Sequence, residues 1–206
     1  NSLISHPGDY WNRINGGHGI YRYTNLDNPD VYFNENIQRL IQNYRSSFLQ
    51  LSLQNLYSSD EDGKAKTLEI LVKMDKYFPL DVIPTTDAEL DIQIGRIYNQ
   101  AGQPEELKNR LRNVQKRKDI SLETQMYIGQ IYMNEFQDYD AAIEHYKKLY
   151  DDFPYIPDFL YTLVQAYAKA ERRSDAVELL DEWLRSNPND SQAVEWLSIL
   201  ASPPPQ

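Results

Sequence analysis

Hydrophobic positions along the chain recur at helical spacing rather than in alternation. Ile94 and Tyr98, Ile128 and Tyr132, and Leu163 and Tyr167 each stand four residues apart, which puts each pair on one helical face. Proline, glycine and short polar clusters separate these faces at regular intervals. The pattern predicts helices over 35–58, 64–77, 87–101, 104–117, 121–135, 138–152, 157–170 and 173–186, with a last helix over about 190–201. Pro104 and Pro157 fall at helix starts, where a missing N–H costs little. Pro154 and Pro188 follow helix ends, since proline cannot continue a helix. The stretch TDAE, Thr86 to Glu89, reads as a capping box.

These elements repeat. IGRIYNQAG at Ile94 to Gly102 returns as IGQIYMNEF at Ile128 to Phe136, displaced by 34 residues, and LVQAYAKAE follows 35 further on. Ala142 and Ala176 are 34 apart, as are Pro154 and Pro188. Gly95 and Gly129 let the first helix of a unit approach its second. The Ile/Leu and Tyr positions fill the space between units, and the alanines open the second helix where crowding favours a small residue. A 34-residue helix–turn–helix period resembles the tetratricopeptide repeat across about 36–202. The fold expected is all-α: a right-handed α-solenoid of about four helix pairs plus a capping helix. The first pair departs from the pattern, with a long first helix and an extended SSDEDG turn. The second has Asp119 in place of the closing proline, and the third carries one extra residue in its turn. The expected organisation is an irregular segment over 1–33, the repeat domain over 34–202 and a Pro-rich tail over 203–206.

Composition narrows the function. A net charge of −10 and a pI near 4.8 argue against nucleic acid, which needs a cationic face. The absence of cysteine excludes disulfides, thiolate metal sites and a cysteine nucleophile, and fits either an extracytoplasmic or a cytoplasmic location. No apolar run approaches the roughly 20 residues that span a bilayer. The chain begins with Asn1, which reads as a processed form or a piece of something longer, with any membrane segment upstream.

Candidate chemistry is thin. His6, His18 and His145 are far apart and unpaired with carboxylates at metal-ligand spacing, and no nucleophile or nucleotide fingerprint is present. Asn15 to Gly19, NGGHG, lacks the following helix start that phosphate binding needs and reads as a flexible connection. Asp60 to Asp62 lacks calcium-loop spacing and reads as a solvated turn. No catalytic residue, cofactor or metal is assigned. The segment 108–118, KNRLRNVQKRK, carries six cations on a predicted outer helix; it reads as a solvated face, with a membrane surface or an acidic partner as the functional alternative.

The repeat resemblance implies a concave working surface. By register its groove positions include Glu89, Arg96, Asn99, Gln100, Met126, Gln130, Met133, Asn134, Tyr161, Gln165 and Lys169. Amides, methionine and tyrosine suit an extended peptide held by hydrogen bonds and adaptable apolar contacts. With only Arg96 and Lys169 cationic, the set does not resemble the clamp subclass that grips acidic tails. The alternative occupant of this groove is the chain's own N-terminal segment.

That segment is rich in Asn, Gly, Asp and Tyr, carries Trp11, and predicts a short strand at IYRY. DNPDVYFNEN, NYRSSF, KMDKYFP and VIP, within about 15–85, are together similar to the stretch after the last membrane helix in a family of bacterial polytopic membrane proteins. That family resembles lipid-linked-sugar-dependent glycosyltransferases and the transmembrane protein O-mannosyltransferase. The resemblance implies an extracytoplasmic, periplasmic interaction domain whose parent's active site lies upstream of Asn1. The competing expectation is a free-standing soluble adaptor in envelope or cytoplasmic assembly.

Overall fold

The computed structural model of the chain describes residues 26, 28–85 and 87–202. His6, Trp11, NGGHG with His18, the IYRY strand, Thr86 and the tail 203–206 lie outside the described residues. Among the described residues the secondary structure is helical, with no strand. The helices are α1 (Glu35–Leu56), α2 (Gly63–Tyr77), α3 (Ala88–Gln100), α4 (Pro104–Gln115), α5 (Leu122–Ile131), α6 (Tyr139–Asp152), α7 (Pro157–Lys169), α8 (Arg173–Ser186) and α9 (Ser191–Ala201). A π-helical segment, Tyr132–Phe136, continues α5.

Local chemistry explains where each begins and ends. Asn34, Ser121, Asp138 and Asp190 each accept a hydrogen bond from an amide in the first turn, satisfying a donor the helix cannot. Pro104 and Pro157 occupy first turns as expected. At α3 the cap is Asp87, whose carboxylate takes the Glu89 amide, so the helix starts one residue later than the TDAE box implied. Phe78, Phe153 and Asn187 close α2, α6 and α8 with nearly the same backbone (φ −135 to −128, ψ 59 to 66), and each precedes a proline that disfavours the α conformation before it.

The corners inside the pairs share a second device. Gly102, Gln137 and Glu171 have φ of 98°, 53° and 60°. After each, an amide turns back to the carbonyl of a repeat tyrosine: Gln103 to Tyr98 at 2.8 Å, Asp138 to Tyr132 at 2.9 Å and Arg172 to Tyr167 at 2.9 Å. The middle closure spans one residue more than the others. The extra residue of the third pair is therefore absorbed by the π turn.

The chain forms two compact units, divided between Asp119 and Ile120. In the first, α1 packs on α2, α3 on α4, and α1 also touches α3. Phe48 and Phe78 meet edge to face at 5.9 Å at the centre of an apolar cluster with Leu71, Met74, Ile83 and Ile94. In the second, α6 packs against α5 and α7, and α8 against α7 and α9. Its core is Ile128, Tyr146, Leu160, Leu163, Val164, Ala176 and Leu180.

The glycines do what their spacing implied. A Cβ on Gly95 would lie 2.8 Å from Leu107 Cδ1 and 3.1 Å from Leu107 Cα, on the second helix of its pair. One on Gly129 would run into the fully buried ring of Tyr146. Tyr132, Tyr146, Ala142 and Ala176 are all buried, so these are packing residues.

Candidate functional site

The expected groove residues divide by unit. In the first, Glu89 is exposed on the opening turn of α3, Arg96 and Asn99 are half-buried, and Gln100 is exposed. The Gln100 side-chain oxygen accepts a 3.2 Å bond from the Tyr57 hydroxyl at the end of α1. In the second unit, Gln130, Asn134, Gln165 and Lys169 are exposed, and Met126 is half-buried.

Two expected groove positions do other work. Met133 is 4% exposed and belongs to the core. The α register counted it outward, but the π turn rotates less per residue than that register assumes, and the thioether is buried. Tyr161 is half-buried, and its hydroxyl donates to Asp190 Oδ1 at 2.6 Å. Asp190 also accepts from Trp183 Nε1 at 2.9 Å and from the Ala193 amide at 3.1 Å, so this carboxylate pins the start of α9 to α7 and α8. The Tyr161 bond, with these others, holds the Asp190 carboxyl below its ordinary pKa; burial and then the same bond push the Tyr161 phenol up.

The basic segment 108–118 is likewise not the uniform solvated face it resembled. Helix α4 ends at Gln115, and its buried arc is Leu107, Arg110, Leu111 and Val114. Arg110, 5% exposed, pairs with Asp75 at 2.5 Å and lies over the Tyr98 ring at 5.3 Å, while the Tyr98 hydroxyl donates to the same Asp75 oxygen at 2.8 Å. Burial and the neighbouring Asp75 push the Tyr98 phenol up. Arg117 forks onto Asp119 and donates to the Thr85 carbonyl at 3.3 Å. Asp91 lies 3.7 Å from Arg110 and 3.8 Å from Arg117, and accepts from Thr85 at 2.7 Å. Burial raises the Asp91 carboxyl against these partners. Arg45, 1% exposed, donates to the carbonyls of Phe78 (2.9 Å) and Ile83, and burial lowers its guanidinium to about 10. Two of the six cations are thus fastenings; Arg112, Lys116 and Lys118 remain exposed and Lys108 half-buried.

His145 is buried, with Nε2 2.7 Å from the Gln125 carbonyl, which can only accept, so Nε2–H is the donor. Burial lowers its pKa, with the Gln125 bond acting the other way. Among the described residues no cluster of His, Cys, Asp or Glu could hold a metal, and no helix is long and apolar enough to cross a membrane.

Charge separates the units more sharply than the total suggests. Residues 120–206 hold 15 acidic and 6 basic side chains, while residues 1–119 hold 16 and 15. Nearly all the net charge of −10 therefore belongs to the second unit, whose field favours a cationic ligand.

A comparison with curated proteins finds no match. Residues 134–197, from the π segment into α9, match the family model described as Tetratricopeptide repeat, and with the helix pairing this supports a tetratricopeptide-repeat domain in the chain.

Proposed function

We propose that the chain is a non-catalytic protein-interaction domain that holds an extended polypeptide on the first helices of its pairs. Tetratricopeptide repeats generally mediate protein–protein interaction. The observation that carries the reading is the exposure of Gln130, Asn134, Gln165 and Lys169 on α5, its π extension and α7, in front of a packed core. Amide side chains can donate to and accept from a peptide backbone at once, which suits sequence-tolerant capture of an extended chain. Within the first unit, Arg96, Asn99 and Gln100 offer similar groups on α3. Tyr161 acts behind this surface as a strut.

The resemblance of residues 15–85 supports the finer reading. In it the domain is the extracytoplasmic part of a membrane glycosyltransferase-like protein, and the ligand is an acceptor polypeptide or a partner subunit. The exposed cations at Arg112, Lys116 and Lys118 would then face a membrane surface or an acidic partner.

A photo-crosslinking residue placed at Gln165, and separately at Glu182 on the outer helix α8, tests the surface in source cells. Protein adducts at Gln165 and not at Glu182 are expected; equal labelling at both would remove the site from the first helices. Immunoblotting of fractionated cells tests the parent. A membrane-confined band much larger than 24.2 kDa, open to external protease, is expected. A soluble band near that mass would instead leave a free-standing adaptor.

A further inference from the structure

Helix α9 repeats α7 at a spacing of 34, so Leu160, Leu163 and Tyr167 correspond to Val194, Leu197 and Ala201. In α7 this face lies between α6 and α8 and is covered: Leu160 is 0% exposed, Leu163 1% and Tyr167 8%. In α9, Val194 is 50% exposed, Leu197 is half-buried and Ala201 is exposed. The same change appears one helix earlier, where Ile143 of α6 is buried at 5% and its counterpart Val177 of α8 is only half-buried. The outward face of α9 thus presents valine, leucine and alanine.

Between α8 and α9 lies an open groove of about 550 Å³, lined by Val177, Glu178, Asp181, Arg185, Leu200 and Ala201 along with the Arg173 end of α8. Its wall is held in place. Arg173 donates to the Leu200 carbonyl at 2.9 Å and the Ser202 carbonyl at 2.7 Å, capping the end of α9. That employment leaves the acids Glu178 and Asp181, with Arg185, as the charged rim.

The covered copy of this surface shows what fits it. On α7 the second helix of the pair is α8, which buries Ala176, Leu180 and Trp183, at i, i+4 and i+7. We propose that the groove between α8 and α9, together with the exposed face of α9 that shares Ala201 with it, docks an amphipathic helix of another polypeptide, with an i, i+4, i+7 apolar stripe against Val177, Leu200 and Ala201 in the groove and Val194 and Leu197 on that face, and with Lys or Arg flanks toward Glu178 and Asp181. The excess of 15 acidic over 6 basic residues in this unit selects the basic flanks. A second copy of the chain is disfavoured by the same charge, since it would set one acidic unit against another.

The test titrates the whole chain with a fluorescein-labelled peptide carrying the 14-residue α8 sequence with D175K, E178K, D181K and E182K. A peptide of identical composition with scrambled apolar positions serves as the charge control. Saturable binding of the patterned peptide is expected, with the scrambled one weaker by about tenfold or more. Val194→Asp, at a half-exposed position, should cost a similar factor while leaving the far-UV circular dichroism unchanged. The rim variant E178K/D181K should also weaken binding. No saturation by about 1 mM, equal binding of the scrambled peptide, or indifference to V194D would each overturn the proposal. Crosslinks at Gln165 should not respond to V194D, which separates this site from the peptide surface.

Discussion

The first unit adds buried ions to an apolar, aromatic core, whereas the second closes the space between its helices with rings and small side chains alone. Arg45, Arg110 and Arg117 meet Asp75 and Asp91 in and around the first core. In the second, the Tyr146 ring lies against Gly129, Ala142 and Ala176 are fully buried, and burial disfavours charge on His145. One period therefore tolerates two kinds of packing, because the repeat dictates only where a gap falls and how large it is. The two choices fail differently. A buried ion pair is costly to assemble but costlier to break singly, whereas a ring against a glycine fails by crowding.

Arg110→Ala should give the largest effect. It takes the guanidinium from Asp75, which keeps the Tyr98 hydroxyl, and from Asp91, which keeps Thr85 and Arg117, at a cost of about 3 kcal/mol. Hydrogen exchange should accelerate in peptides from α2, α3 and α4 and stay unchanged in α6 to α8. A uniform change across both units would erase the distinction between them.

Gly129→Leu probes the other chemistry. The new side chain must displace a fully buried Tyr146, so a loss of about 1–3 kcal/mol by overpacking is expected, confined to the second unit. Two of the three tryptophans, Trp183 and Trp196, lie there and report its unfolding by fluorescence in urea. An unchanged midpoint would mean that Tyr146 has room that the structure does not show.

How much of this the sequence displayed follows from what kind of force places each residue. Gly95, Ala142, Pro104 and Pro157 answer local steric demands, and those demands recur with the period, so the helices were legible to within a few residues. The exposed amides Gln130, Asn134 and Gln165 followed from the same register. Arg110 was not legible as a core residue, because the charge run around it looked uniform; the signal was its place at i+3 between Leu107 and Leu111. Met133 was misplaced because the extra residue counted in a turn is wound into the helix as a π segment. Tyr161 depends on a bond to Asp190, 29 residues away, which periodicity does not encode.

Acid separates the units by a smaller margin. Burial holds His145 below the ordinary 6.5, so the unfolded chain takes up that proton first. The stability contributed by the neutral ring is complete above pH 6.5 and is lost as pH falls through the folded value. Asp91 has the opposite sign: its folded carboxyl is raised above 3.8, so the folded state takes up the proton first and acidification costs the first unit nothing through this group. Between about pH 7.5 and 5.5 the tryptophan-detected midpoint should fall, and His145→Gln should flatten that slope. A slope that survives the substitution would assign the acid sensitivity to other groups.

The smallest test makes one unit imitate the other at a corner. Gly102, Gln137 and Glu171 occupy the same turn, but only the first is a glycine, and L residues are disfavoured at positive φ. Glu171→Gly removes that strain at φ 60° and adds the backbone freedom of glycine to the unfolded chain, for a net gain of about 0.5–1 kcal/mol in the second unit. The reverse change, Gly102→Ala, meets no atom within 4 Å, so any loss it causes comes from its φ of 98° and not from crowding. If Glu171→Gly stabilises and Gly102→Ala destabilises, backbone conformation governs all these corners, whatever fills the cores beside them. If Glu171→Gly is neutral or harmful, the side chain at that turn contributes something a glycine lacks, and the corners differ between units as the cores do.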